Sequence, residues 1–517
     1  MYLTNEHTIW VGAGEQNTYL LPSMANRHGL IAGASGTGKT VTLKVLAEGF
    51  SDMGVPVFLA DIKGDVSGLC IPGVSMPNVE ERVQRFHIPN FFFKSYPVRF
   101  FDVYGKKGIP VRATISDLGP ELLSRIMQLN DTQSSVLQII FKIADDKQLL
   151  LIDTKDLKAM LAHVSESKEQ YQTEYGNIAA QTIGAIQRSV VTLEAAGGDI
   201  FFGEPALDLQ DWITLDDNGH GIINLLNCVE LVRSPLLYST FLLWMLSELY
   251  EMLPEAGDLA KPKMVFFFDE AHLLFTDVPK ALLQKIEQVV RLIRSKGVGV
   301  YFITQSPGDI PDTILAQLGN KIQHALRAYT PKEQKAVKVA AQSFRPNPSF
   351  DCETALGELR IGEALVSLLD ETGAPCMVQR SFILPLQSNF GVADAELVRT
   401  RIQSNYLNAK YAKAIDQKSA FEVLEKLAGE ATAIALQQAS ELQAAKQREK
   451  EQKEAMKLAE KEAKERERLE EKRRKEQEKQ IKAVTGVVTK MVNSTASSIG
   501  REVGRNIMRG LFGTRKR

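Results

Sequence analysis

Gly33-Ala-Ser-Gly-Thr-Gly38-Lys39-Thr40 matches G-x-x-x-x-G-K-[ST], and its reading decides the fold. His28-Gly-Leu-Ile-Ala-Gly33 before it reads as a short buried strand. Lys39 to Phe50 after it reads as a helix, with Val41, Val45 and Leu46 on one side. In that context the glycines let backbone N–H groups curl around phosphate oxygens, and the helix N-terminus adds its dipole. Gly33, Ala34, Ser35, Gly36, Thr37, Gly38, Lys39 and Thr40 are therefore the candidate cradle for ATP. Lys39 can reach the β- and γ-phosphates, and the Thr40 hydroxyl is placed to coordinate Mg²⁺. A chance glycine-rich turn would not need a strand before it and a helix after it.

Outward from this loop the pattern repeats. Val55-Pro-Val-Phe-Leu-Ala60 is an apolar run of strand length ended by Asp61, completing a strand–helix–strand unit. Val98–Val103, Gly221–Leu226, Met264–Phe268, Val298–Ile303 and Lys321–Leu326 are further strand candidates, with helices near 235–252 and 279–296. Strands this continuously apolar are buried on both faces, as parallel sheets are. The fold class predicted is α/β with a central, mainly parallel sheet. Residues 117–200 read as a helical insertion between two parts of the core, 1–116 and 201–395. A helical, charged, coiled-coil-like segment follows over 396–480, and a basic amphipathic or disordered tail over 481–517.

The composition is that of a globular protein: 517 residues, 44% hydrophobic and 24% charged, enough to build a sizeable core. The formal net charge of −1 does not announce a nucleic-acid binder. Cys70, Cys228, Cys352 and Cys376 form no C-x-x-C pair, so free thiols in a reducing cytosol are the expectation. Met1–Trp10 lacks the basic and apolar regions of a secretory signal, and no apolar stretch approaches the roughly 20 residues of a membrane span. A cytoplasmic protein without an integral membrane segment is expected.

Met264-Val-Phe-Phe-Phe-Asp269-Glu270 supplies the second chemical element. A strand of this kind delivers its acids to the carboxyl edge of an open α/β sheet, where ligands bind. Asp269 would hold Mg²⁺ directly or through water, and Glu270 would polarise the attacking water. Asp269-Glu-Ala-His272 also spells the box of one helicase superfamily, but the accompanying S-A-T and Q-x-x-G-R-x-G-R motifs are missing, so His272 reads as a neighbour of the site. Thr304-Gln305, after the next strand, can sense the γ-phosphate or merely cap the strand end.

Taken in order, Gly33–Thr40, Asp61-Ile-Lys-Gly-Asp65, Phe268-Asp-Glu-Ala-His272, Arg291-Leu-Ile-Arg-Ser-Lys-Gly297 and Phe302-Ile-Thr-Gln-Ser-Pro307 resemble the HerA–FtsK superfamily of ring-forming motor ATPases. Ala25–Asp61 and Gln323–Val337 resemble the bacterial YjgR-like (helicase HerA-like) proteins within it. The resemblance covers about 1–395. It implies a RecA-like (ASCE) P-loop NTPase fold and an ATPase activity. Residue by residue it implies phosphate and Mg²⁺ binding at Lys39 and Thr40, the magnesium acid at Asp269, the catalytic base at Glu270 and the sensor at Gln305. It also implies a homo-oligomer, with a hexameric ring as one form, in which an arginine completes the neighbour's site. Arg327 is the first candidate, Arg294 the second and Arg291 a weaker third; taken singly, each reads first as a surface cation. Asp61 and Lys63 would lie near the phosphate edge, contacting nucleotide or ring neighbour, or capping the strand. The chain departs from HerA in having only about 25 residues before the first expected sheet strand, too few for HerA's N-terminal β-barrel.

Two functional readings stay open. One is a motor acting on DNA, for which the basic loop 105–112 (Gly-Lys-Lys-Gly-Ile-Pro-Val-Arg) is slender support. The other is an ATP-gated scaffold or protein-remodelling ATPase that recruits an unknown protein partner through its C-terminal tail. A small-molecule kinase is disfavoured by Glu270 and Gln305, which suit activation of water, and a GTPase by the missing N-K-x-D motif. Roughly two-thirds of residues 441–480 are charged, with mixed sign and too few apolar positions for a coiled-coil seam. Beyond them Val484, Val488, Met491, Val492, Ile499, Val503 and Ile507 can form one apolar stripe, with Arg501, Arg505 and Arg509 on another face.

Overall fold

The computed structural model describes residues 1–257, 259–275 and 280–492. Its sheet has 13 strands. In chain order they are β1 (Tyr2–Leu3), β2 (Thr8–Gly14), β3 (Thr18–Leu20), β4 (Gly29–Ala32), β5 (Val57–Asp61), β6 (Val98–Asp102), β7 (Ile109–Pro110), β8 (Ile223–Asn227), β9 (Met264–Phe268), β10 (Val298–Thr304), β11 (Asn320–His324), β12 (Glu363–Ser367) and β13 (Gln379–Ile383). The spatial order is β1-β2-β13-β12-β11-β4-β10-β9-β5-β8-β6-β7, with β3 on β2. All pairings from β11 through β4 to β7 are parallel, and those from β11 out to β1 and β3 are antiparallel.

The order explains the composition of the central strands. Along β9, Met264, Phe266 and Phe268 enter one apolar core and Val265 and Phe267 the core on the other face. Along β10, Val298, Val300 and Phe302 take the first side and Tyr301 and Ile303 the second. Both faces are covered, so successive side chains alternate in direction yet all must be apolar. The first core also receives the helices Ile115–Ile126, Asp131–Asp146, Thr154–Glu166 and Ala180–Leu193 and the fully apolar side of Pro235–Met252. Residues of the segment read as an insertion thus share the core of the sheet.

One expectation needs correction. The residues ahead of β4 are part of the sheet: β2 pairs with β13 through Gly12–Gly14 and carries β1 and β3. β12 and β13 complete this antiparallel flank. The segment 105–112 likewise contains β7, which pairs with β6 at Phe101–Asp102.

The helix Lys39–Asp52 runs from the glycine-rich loop across the second face and, beyond Lys39, carries the buried charges Lys44 and Glu48. Lys44 Nζ donates to the carbonyls of Asn389 (3.2 Å) and Phe390 (3.3 Å). Four residues on, the Glu48 carboxylate accepts the N–H groups of Gln387 (3.1 Å) and Ser388 (2.9 Å). Burial pushes the Lys44 ammonium down and the Glu48 carboxyl up, and these backbone partners are what keep the two groups satisfied inside the core.

The chain divides into a compact unit, Met1–Leu427, and a second unit from Ala428 onward. In the first, Leu407, Tyr411, Ala420 and Leu424 are buried against the core. The second is described as the remainder of the helix Ala420–Val492, exposed from Ala428 to Ala483. Glu449–Lys453, Glu460–Lys464 and Glu471–Lys475 form i,i+4 ion pairs along it, which suits a helix surrounded by water. The arginine face Arg501, Arg505 and Arg509 lies outside the described residues. Among the described residues, no helix is long and apolar enough to cross a membrane.

Candidate active site

The glycine-rich loop follows β4, which lies between β10 and β11. Three backbone relationships fix it. Gly33 N donates to Thr304 O (3.3 Å), Ala34 N to Ala325 O (2.9 Å) and Gly362 N to Thr37 O (2.9 Å). Gly36 and Gly38 have φ of +75° and +118°, a backbone region that side chains with a Cβ rarely adopt. A Cβ on Gly38 would also press on Gly362 Cα at 3.2 Å and on the His324 ring at 3.3 Å. Lys39 is only 6% exposed, and its Nζ turns back onto the carbonyls of Gly33 (2.6 Å) and Ala34 (3.1 Å). Burial, then the charge of Lys63, lowers the pKa of this ammonium, against the pull of Glu270 and Asp269.

His324, at the end of β11, supports the loop from below. Its Nδ1 lies 3.0 Å from Glu363 O and its Nε2 2.7 Å from Thr42 Oγ1. A carbonyl can only accept, so Nδ1 carries the hydrogen and Nε2 accepts the Thr42 hydroxyl. Burial pushes this imidazole down to about 4. Glu363, whose carbonyl orients the ring, is in turn held by Arg380, with Nε 3.0 Å and Nη2 3.2 Å from its two oxygens. Sequence reading did not find His324 or Gly362, because His324 reaches the loop through the pairing of β11 with β4, and Gly362 through that of β12 with β11.

Asp269 and Glu270 follow β9, and Gln305 follows β10. The register places Phe268 beside Phe302 and Thr304 beside Ala32, so all three and the glycine-rich loop share one edge of the sheet. Asp269 is 8% and Glu270 7% exposed. Glu270 has left-handed backbone angles, φ 43° and ψ 49°, a conformation that costs a non-glycine residue about 1–3 kcal/mol and gathers at functional sites. Burial raises the Asp269 carboxyl, with Lys63 opposing and Glu270 reinforcing. For Glu270 burial is outweighed by Lys63, and the carboxyl is held below its ordinary value. Its Oε2 is buried without a hydrogen bond, with His272 Nδ1 3.3 Å away. An acceptor oxygen left open beside a glycine cradle fits a site that takes up nucleotide, metal and water.

Other expected residues fall as follows. Thr304 Oγ1 donates to Asp309 Oδ2 (2.8 Å), so the hydroxyl caps the strand end, while Gln305 is exposed. Asp61 Oδ1 accepts the N–H groups of Gly64 (2.6 Å) and Asp65 (3.2 Å), and Oδ2 that of Val66 (3.4 Å). Asp61 is thus a turn-former, and the turn brings Lys63 onto the acidic pair. Arg327 lies three residues past β11 on the same sheet edge as the glycine-rich loop, exposed, with Nη1 3.0 Å from Gly357 O. Arg294 and Arg291 precede β10 and lie at the opposite edge of the sheet.

The core strand order β11-β4-β10-β9-β5 inserts one strand, β10, between the strand of the phosphate loop and the strand of the acidic pair. This is the arrangement of RecA-like P-loop ATPases. A family model described as helicase HerA-like C-terminal matches residues 6–517. The chain belongs to this HerA-like family. No curated protein matches it in sequence. Solved structures similar to the HerA-like chain include the unbound conjugative coupling protein TrwB, at 12% identity and TM-score 0.46, covering 73% of this chain and 89% of that one. TrwB with a non-hydrolysable ATP analogue matches at 12% identity and TM-score 0.48, with 72% and 88% covered. VirB4 of Thermoanaerobacter pseudethanolicus matches at 14% identity and TM-score 0.45, with 76% and 97% covered.

Proposed function

We propose that this HerA-like chain binds ATP with Mg²⁺, hydrolyses ATP to ADP and phosphate, and works as a homo-oligomeric motor on DNA. The observation that carries the reading is the shared edge: Lys39, Asp269, Glu270 and Gln305 leave three adjacent parallel strands at one level. In the working site the Lys39 ammonium exchanges the carbonyls of Gly33 and Ala34 for β- and γ-phosphate oxygens, and the loop N–H groups of Gly33–Thr40 line the phosphates. The Thr40 hydroxyl and the Asp269 carboxylate would hold Mg²⁺, whose charge offsets that of the triphosphate. Glu270 takes the proton of the attacking water as its oxygen bonds to the γ-phosphorus and the bond to the ADP oxygen breaks. Gln305 orients that water. Arg327 of a neighbouring subunit stabilises the charge on the transferred phosphoryl group.

A second reading, an ATP-gated scaffold that binds a protein through its tail, draws support from the water-exposed helical stretch Ala428–Ala483. ATP turnover with and without single- and double-stranded DNA, together with mass in solution with and without ATP, separates the two. DNA-stimulated turnover by an ATP-dependent oligomer is expected. Turnover indifferent to DNA favours the scaffold, and no ATP binding refutes both.

A further inference from the structure

Lys63 is a charged group of the site without a part in the chemistry above. Its Nζ lies 2.6 Å from Glu270 Oε1 and 3.7 Å from Asp269 Oδ2. The backbone beneath it is fixed by the three N–H groups that Asp61 accepts and by Gly64 at φ +77°. The Lys63 side chain itself is 43% exposed, so it has room to leave. We propose that Lys63 is a positioning residue that latches Glu270: its ammonium holds Oε1, pins the carboxylate's orientation and leaves only the buried Oε2 open, and full hydrolysis requires Lys63 to move away.

The inference rests on Glu270 being the base. Two adjacent carboxylates repel each other, and the ammonium beside them is their counter-ion. A carboxylate oxygen already accepting a short hydrogen bond from an ammonium is a poor proton acceptor. The same contact sets Lys63 against a divalent cation, because both seek Asp269 and like charges on neighbouring oxygens repel. Filling the Asp269 position with Mg²⁺ therefore drives Lys63 off, and Glu270 becomes free only in a loaded site. Such a latch suppresses water activation until metal and nucleotide are both in place.

The test is the Mg²⁺ dependence of binding of a fluorescent ATP analogue to the full chain, which needs no turnover. In Lys63→Met the Mg²⁺ concentration for half-maximal binding should fall about tenfold, since a competing cation has gone. Lys63→Arg keeps the charge and should stay near wild type. Turnover at saturating Mg²⁺ and ATP should rise severalfold in Lys63→Met. An unchanged Mg²⁺ half-point with binding intact overturns the latch alone. Turnover falling to that of Glu270→Gln also overturns it, by making Lys63 a required partner. Failure of the unaltered chain to bind the analogue would overturn both the latch and the ATPase reading.

Discussion

His324 Nε2 and Thr42 Oγ1 are 2.7 Å apart, which ties the end of β11 to the first turn of the helix that begins at the phosphate loop. His324→Ala leaves the Thr42 hydroxyl and the Glu363 carbonyl without this partner and opens a cavity under Gly33 and Gly38. The expected cost is about 2–4 kcal/mol of stability, read from denaturant midpoints, with weaker nucleotide binding. His324→Gln, which can keep one hydrogen bond, should lose less. Equal stability of His324→Ala and wild type would contradict this support role.

The same residue gives a pH dependence. Burial holds His324 and His28 down to about 4, against an ordinary 6.5. Between those values the unfolded chain binds protons that the native one refuses, so stability rises with pH across about 4 to 6.5 and is lost as pH falls. Asp61 acts in the opposite sense. Burial and the Asp65 charge push it up to about 6, so its contribution is full below 3.8 and is lost as pH rises through about 6. Wild type compared with His324→Gln isolates the histidine: the wild-type slope should be steeper by up to about 1.4 kcal/mol per pH unit. Parallel urea-midpoint curves between pH 4 and 7 would show that His324 does not titrate this way.

Lys39→Ala should abolish tight ATP binding, because it removes the mobile charge that meets the β- and γ-phosphates. Glu270→Gln should keep ATP binding but slow hydrolysis about a hundredfold or more, since the amide fills the position without accepting a proton. Equilibrium binding and single-turnover hydrolysis distinguish the two. Wild-type turnover in Glu270→Gln would move the base elsewhere.

Arg327→Ala and Glu270→Gln should each be inactive as pure rings and regain some turnover when mixed. In the proposed oligomer, mixed rings would contain interfaces that pair an intact Glu270 with an intact Arg327. The measurement is turnover against mixing ratio, in rings shown to exchange subunits. A ratio profile no better than the sum of the two pure variants would remove Arg327 from a trans role.

Deletion after residue 435 removes most of the exposed helix while keeping Ala420 and Leu424, which are buried in the first unit. Basal ATP hydrolysis should persist and a binding activity of the tail should disappear. Aggregation or loss of hydrolysis in the truncated chain would mean that the tail supports the ATPase unit.

How far the sequence could be read follows from how local each signal is. Met264–Phe268 and Pro235–Met252 appear with the boundaries read from the apolar pattern, because a fully buried strand and a fully buried helix leave uninterrupted runs. The glycine-rich loop was legible for the same reason: its chemistry is contained in eight adjacent residues. The antiparallel flank was not. Glu363-Ala-Leu-Val-Ser367 and Gln379-Arg-Ser-Phe-Ile383 are short and mixed in polarity, and β13 finds its second partner in β2, more than three hundred positions earlier. Lys63 was placed near the phosphate edge by its position after β5, but its contact with Glu270 depends on β5 lying beside β9. His324 lies within the Gln323–Val337 stretch, but nothing there marked its role, since one histidine ending a strand looks like any other.

The helix that starts at the glycine-rich loop is also the peg on which a distant stretch of chain hangs. Lys44 and Glu48 grip residues 387–390 through four hydrogen bonds from charges inside the core. Letting go would strand both charges without partners, so a tilt of this helix at its nucleotide end must carry the 387–390 segment along. The coupling is that of gear and rack: a displacement of the helix at its glycine-rich end would pass through side chains away from that loop to the segment that leads into the helix Ala395–Ser404.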